Sequence, residues 1–592
     1  MQTYTADEAL NWAFAAYSLG DLRETLRRID RYITTHGPTA ELLHLRALSH
    51  KGLGEAQEAA IAFASAHQIN PVDVQVLTNW GNLLTEEDDL STALTLYGRA
   101  LSVDPEYGEA LFNRALALQR LHRYDEALDD LDRALARNPE MAKAYSARGA
   151  ILRAAEMPNE AIEAFDRALA IEPSRAVALA GRARLALETG AADAKDRYIA
   201  ALEQTPGQQP LVLGIVQAMF AEGDGSGLDI LEDVLRQNPL WFEGHYEFAL
   251  LRAEYGEGPA FTDHIREAIS RIPNEPQLYA TLANALASAE RYSEALEALR
   301  EAEARCPPDN SRKFEIARLE AECGNRDAAW HELASFPDSD LVRQVRGRLA
   351  LRLGKADEAA LLLEELVARS PDDIFAWAYL GVAWRLLEDD RFAWLAEQPG
   401  LTSTQILDLP ASTMQRIAEV LRNIHRARAQ PVGQSLRGGT QTRGRLFWRH
   451  EPELNGLASK IGEAVQAHLS GLPAADQRHP LLRHRDSILK IKGSWSVRLT
   501  DQGFHVQHIH PEGILSSACY IVVPPVSGDD IHAGWLEIGG APHDLDLRLD
   551  PLSVVQPESG KLALFPSYMF HGTRPFAAGE RLTVAFDVVP SN

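Results

Sequence analysis

Three histidines, His505, His508 and His510, stand within six residues of one another. They come just ahead of an apolar run, Ser516 to Pro524, that has the composition of a strand. In an extended chain, side chains at i and i+2 share a face. His508 and His510 then project together, and His505 points the other way. Two imidazoles on one strand face make half of a metal site. A second candidate strand begins at Gly560 and ends in His571, and ten residues further on Arg581 opens a third, running to Val589. The expected ligands are His508, His510 and His571, with His505 in a structural or supporting role. His425, His450, His468, His479, His484, His532 and His543 are expected at surface or structural positions, and Trp495, Phe565 and Phe586 in the core.

Four stretches carry the pattern: SWSVRL from Ser494, HVQHIHPEG from His505, LFPSYMFHGT from Leu564 and RLTVAFDVVP from Arg581. His-x-His on a strand, a distal His and an Arg about ten residues later resemble the iron(II)- and 2-oxoglutarate-dependent oxygenases. The wider arrangement resembles a bacterial subgroup that carries helical repeats in front. The resemblance covers roughly residues 395–592. It implies Fe(2+) and 2-oxoglutarate as cofactors, with Arg581 holding the distal carboxylate of 2-oxoglutarate. A guanidinium suits that task because it offers two donors in a fixed fork. Tyr520, Ser517 and Arg498 are further pocket candidates. The implied reaction couples decarboxylation of 2-oxoglutarate to hydroxylation, while the protein ligates, orients and excludes water.

The chain departs from that family at one position. Members usually pair His-x-Asp/Glu with a distal His, and here His510 stands where the carboxylate is expected. Three arrangements are open. His508, His510 and His571 form a three-histidine face; a carboxylate, Glu512 or Glu537, fills the third place; or two histidines bind and water completes the set. The i, i+2 geometry favours the first.

At 592 residues the chain is long enough for several domains or a repeat array, and 45% hydrophobic with 24% charged residues is ordinary for a globular protein. The three cysteines, Cys306, Cys323 and Cys519, form no Cys-x-x-Cys pair. Neither a disulfide framework nor a thiolate zinc site is supported, and the count suits a reducing, cytoplasmic setting. The start of the sequence lacks the basic and apolar segments of a signal peptide, and no spanning helix is expected. Net charge is −25 and unevenly placed: residues 395–592 balance at 19 basic and 19 acidic groups, so the first 394 carry all of it. Such a field disfavours nucleic acid and anionic membranes and favours a basic partner. A solvated helical surface kept soluble by its acids explains the same charge.

Prolines at 71, 105, 139, 173, 206, 239, 273 and 307 recur every 33 or 34 residues. That period is the tetratricopeptide spacing. Tyr145, Gly149, Ala161, Phe165 and Ala168 fall where such a repeat places aromatic and small residues, as do Gly81, Ala93, Tyr97 and Ala100. About eleven helix pairs are expected over 1–390, stacked as a superhelical solenoid with a concave face. Residues 391–450 are expected as a helical join. Its segment with Gln434, Arg437, Gln441, Thr442 and Arg443 is either an ordered loop at a site mouth or a polar linker. Over 451–592, after one helix, strands are expected at 488–499, 504–509, 515–523, 533–538, 561–565 and 581–589, the pattern of a jelly roll. The fold expected is thus multidomain: an all-α solenoid, then a double-stranded β-helix with flanking helices.

These features together suggest an oxygenase that hydroxylates a protein or peptide side chain, of basic character, recruited by the concave face. Two alternatives stand beside it: a three-histidine dioxygenase that uses no 2-oxoglutarate, and a non-catalytic repeat scaffold whose β-domain holds a structural metal. Oligomeric state is not legible in the sequence.

Overall fold

The structure, a computed structural model, describes residues 5–525 and 530–590. The chain divides into two compact units, 1–185 and 186–592. From Ala6 to Arg369, 22 α-helices follow one another as eleven helix pairs, the tetratricopeptide arrangement. Each of the eight periodic prolines, and Pro371 after them, lies two residues past the end of the second helix of a pair. Proline cannot continue a helix, so its recurrence marks where each pair stops. Within the first unit the small positions let helices close on aromatic rings. A Cβ on Gly81 would lie 2.6 Å from the Tyr97 ring, and one on Gly149 would lie 2.9 Å from Phe165.

In the second unit the remaining repeats lead through the helices Ile374–Leu386 and Arg391–Ala396 into an antiparallel nine-stranded sheet. Its strands are β1 (Ser403–Ile406), β2 (Leu436–Gln441), β3 (Leu489–His508), β4 (Leu515–Val522), β5 (Leu536–Ile538), β6 (Ser553–Val555), β7 (Lys561–Pro566), β8 (His571–Thr573) and β9 (Glu580–Pro590). The order is β1-β7-β4-β9-β3-β8-β5-β6, with β2 on β3. The long strand β3 changes partner along its length. Leu489 to Thr500 pair with β9, and His505 and His508 pair with Thr573 and His571 of β8. That change bends the sheet almost into a barrel, as in a jelly roll.

Two expectations are corrected here. Residues 391–450 are not merely a join, because β1 pairs with β7 and β2 with β3, so the sheet draws in residues well before 451. The strands expected at 488–499 and 504–509 are one strand: the chain turns at Gln502, φ 62°, without leaving the sheet. β2 can run against β3 there because glycines meet. Gly438 has φ 72°, and a Cβ on Gly503 would lie 2.6 Å from the Thr500 carbonyl.

β4 is buried from Leu515 to Ile521, the mark of a strand covered on both faces. The helix Ala411–Ile424 packs on β4 and the helix Pro452–Gly471 on β7. The core does not stop at the sheet. One cluster of buried side chains runs from Phe314 and Trp330 through Trp377 and Leu395 to Phe565 and Val588. Polar contacts fasten the same junction. Arg348 bridges the buried Glu322 and Asp544, Arg385 donates to the carbonyls of Gly539 and Asp550, and the Tyr568 hydroxyl donates to the Leu395 carbonyl at 2.7 Å. His479 sits beneath, 5.1 Å from the Trp394 ring, and accepts from the amides of Leu481 and Leu482.

Burial holds His264 down to about 3, and His425, His468 and His479 down to about 4, from an ordinary 6.5. All four bind protons more readily in the unfolded chain. Stability they contribute is present above pH 6.5 and is lost as pH falls through the window down to about 4. The melting temperature of the metal-free protein, followed by circular dichroism, is expected to fall between pH 7 and pH 5. A midpoint that holds or rises over that interval would contradict this assignment.

Candidate metal centre

The side chains of His508, His510 and His571 converge. Ligand atoms from the three lie within 4.8 Å of one another. β3 carries His508 at its end and His510 just beyond it, and β8 opens with His571, paired directly with His508. The ring centroids stand 4.2 to 5.1 Å apart. Phe565 packs at 4.6 Å from His571 and Trp495 at 5.4 Å from His510, which limits how the rings can turn.

The hydrogen bonds set the tautomers. Nδ1 of His508 faces the Val506 carbonyl at 2.9 Å, Nδ1 of His571 the Met569 carbonyl at 3.1 Å, and Nδ1 of His510 the Asp587 carboxylate at 2.6 Å. All three partners only accept, so each Nδ1 must carry the proton. Each ring then turns its Nε2 inward, and those of His508 and His510 are 3.1 Å apart. Burial pushes His508 down to about 3, helped by neighbouring His510, and holds His571 well below its usual range. The rings of His508 and His571 are therefore neutral at neutral pH. Three imidazole nitrogens gathered this closely can share one cation, and imidazole suits first-row divalent metals, iron included. The donor set fits Fe(2+).

The carboxylates considered from the sequence lie elsewhere. Glu512 is 77% exposed and pairs with Lys492 at 3.4 Å. Glu537 is held by Arg574 at 2.5 Å. His505 is half-buried beside the cluster and bonds the Ser435 hydroxyl at 3.0 Å through Nδ1. Asp587 is a site residue that the ligand pattern does not single out, although strand parity does: on a strand that begins at Arg581, residue 587 shares the same face.

The cluster opens into a cavity of about 650 Å³. β9 lines it with alternate residues, Arg581, Thr583, Ala585 and Asp587. Arg581 is 2% exposed and, among the described residues, no carboxylate pairs with it. Its Nε and the Tyr520 hydroxyl are buried without a hydrogen-bond partner. The guanidinium carbon lies 5.1 Å over the Tyr520 ring, and burial pushes that hydroxyl up while the guanidinium opposes the shift. A buried cation left unpaired is costly, so this end of the cavity suits an anionic ligand such as the distal carboxylate of 2-oxoglutarate. Ser517 also lines the cavity, but its hydroxyl both donates to the carbonyl and accepts from the amide of Phe586. Arg498 is corrected: it pairs with Glu580 at 2.7 Å and is not among the cavity-lining residues, since Val497 takes the inward place on β3.

The repeats build part of the same wall. Ala287 and Ser288 at the end of the helix Pro276–Ser288, Glu290 in the turn after it and Tyr292 at the start of the helix Tyr292–Arg305 line the cavity with Gln434 and Arg437. Glu290 pairs with Arg437 across this mouth. Further along the same segment, Arg443 clamps the buried Glu254 with two bonds, and Thr442 exchanges bonds with the backbone of Ser496. The segment is thus an ordered wall and not a loose linker.

Comparison with known proteins agrees with this division. Residues 493–587 match the family described as "Putative 2OG-Fe(II) oxygenase", and residues 108–141 and 345–393 match tetratricopeptide repeat families. A search of curated proteins finds no match. Among solved structures, a tetratricopeptide repeat protein from Parabacteroides merdae is 20% identical over 47% of this chain and 98% of its own, with a TM-score of 0.32. PilF of Pseudomonas aeruginosa is 18% identical over 35% and 94%, with a TM-score of 0.32. TTC0263 of Thermus thermophilus is 23% identical over 30% and 98%, with a TM-score of 0.27.

Removing one ring should abolish metal binding, because two imidazoles leave the ion underheld. Under argon, calorimetry is expected to show one Fe(II) or Co(II) bound per chain, and none for His508→Ala or His571→Ala. Glu512→Ala and Glu537→Ala should bind within about 3-fold of the wild type, as groups outside the first ring of contacts. A large loss in either would return a carboxylate to the ligand set.

Proposed function

We propose that the chain is an iron(II)- and 2-oxoglutarate-dependent oxygenase that hydroxylates a protein or peptide side chain in the cytoplasm. The observation that carries this reading is the pairing, in one cavity, of three converging imidazoles with a buried guanidinium that has no carboxylate partner among the described residues. When bound, iron(II) with 2-oxoglutarate and dioxygen supplies the oxidising equivalents. The chain's own residues do the rest. His508, His510 and His571 hold the ion through Nε2. Arg581 takes the far carboxylate, with the Tyr520 hydroxyl buried beneath it. The apolar wall of Trp495, Val497 and Ala585 keeps water from the reacting groups.

The repeats favour a macromolecular substrate, since tetratricopeptide arrays generally engage proteins. The turn bearing Ser288 and Glu290 stands at the cavity, so a segment held on the repeats of the second unit reaches the metal without a further lid. The acidity of the first 394 residues favours a basic partner. Among the described residues no helix is long and apolar enough to cross a membrane. The three-histidine set equally suits an oxygenase that needs no oxo acid; the unpaired Arg581 weighs against that second reading.

Succinate release requiring both iron(II) and 2-oxoglutarate, with a one-oxygen mass gain on a co-incubated protein, is the expected result. Arg581→Ala should raise the KM for 2-oxoglutarate by about 30-fold or more, a loss of about 2 kcal/mol for an unpaired buried charge. Oxygen uptake that ignores 2-oxoglutarate would favour the second reading. No consumption of either would leave a binding scaffold.

A further inference from the structure

Of the three ligand rings, two are backed by neutral carbonyls and one by a charge. His510 meets Asp587 at 2.6 Å, in the short range of charge-assisted bonds. Both side chains are largely buried, 12% and 14% exposed. Among the described residues Asp587 has no lysine or arginine partner. Among the described residues its only other side-chain hydrogen bond is from the Ser516 hydroxyl at 3.4 Å, and that hydroxyl also bonds Ser567 at 2.9 Å. The carboxylate's charge is therefore not spent elsewhere. It is directed at the ring that occupies the position where the resembling oxygenases carry their ligating carboxylate.

We propose that Asp587 is a positioning residue that returns, through His510, the negative charge missing from the ligand set. Resting on the oxygenase reading, this makes His510 the most electron-rich of the three ligands. Polarised by the carboxylate on Nδ1, its Nε2 binds a divalent metal more strongly than an imidazole backed by a carbonyl. The charges then balance. A dication, the Arg581 cation, the Asp587 anion and a dianionic 2-oxoglutarate sum to zero in a buried cavity. Without Asp587 the same set carries an uncompensated positive charge, which low-dielectric surroundings penalise. A three-histidine face backed in this way has the same net charge as two histidines and a carboxylate, with the anion moved one ring outward.

The test compares the wild type with Asp587→Asn, which keeps an acceptor for Nδ1 but loses the charge, and Asp587→Glu, which keeps the charge. Fe(II) affinity is measured under argon by calorimetry. The charge-transfer band of the anaerobic complex with 2-oxoglutarate is recorded alongside, and metal-free melting is followed to confirm folding. The Asn variant is expected to bind Fe(II) about 10- to 100-fold more weakly. Its band should move to shorter wavelength, because a less electron-rich iron gives up charge less readily. The Glu variant is expected to bind more tightly than the Asn variant. Equal affinity and band position for wild type and Asn variant, or equal affinity for the Asn and Glu variants, overturns this proposal alone. Failure of the wild type to bind Fe(II) overturns the oxygenase reading and this proposal with it.

Discussion

The site depends on a convergence of nitrogens built into its hydrogen bonds. Val506 and Met569 offer carbonyls and Asp587 a carboxylate, so three imidazoles are obliged to keep their protons on the outer nitrogen. Their inner nitrogens then crowd together, two of them 3.1 Å apart. The fold tolerates this because strand pairing fixes where the rings stand: His508 opposite His571 in the ladder, His510 two residues further on. The packed rings of Phe565 and Trp495 remove the rotations that would relieve it.

The same sheet settles what surrounds the cluster. β9 faces the cavity with every second side chain, placing a cation at one end of the row and an anion at the other. Six residue steps of extended chain separate them, about 20 Å at 3.4 Å per residue. The change of partner along β3 brings the end of that strand across to β8 and so joins ligands from distant parts of the sequence. A repeat turn closes one side of the cavity, so helical and sheet regions share a wall as well as a core.

Much of this was legible in residue spacing, and the failures have physical causes. The periodic prolines located the ends of helix pairs because a missing N–H acts locally, whatever the tertiary context. The three histidines were found because strand parity and order along the chain are sequence properties. β1, β2, β6 and β8 are short, and their pairing with β7, β3 and β5 is long-range, which leaves little local signal. Arg498 was misplaced because parity within β3 says which residues alternate but not which set faces inward. Asp587 was overlooked for a different reason. A ligand pattern points to carboxylates that touch a metal, and this one touches a ring.

The uninterrupted core between the last repeats and the sheet bears on heredity as well as on folding. The stretch that carries the oxygenase pattern, 493–587, leans on Trp377, Tyr379, Trp394 and Leu395, which lie outside it. A gene fragment cut to the motif boundaries would encode a polypeptide with that apolar surface bared. The smallest cassette that recombination can transfer intact is therefore the sheet together with the helices it rests on, and any change in the final repeats is inherited as a change in the chemistry's foundations.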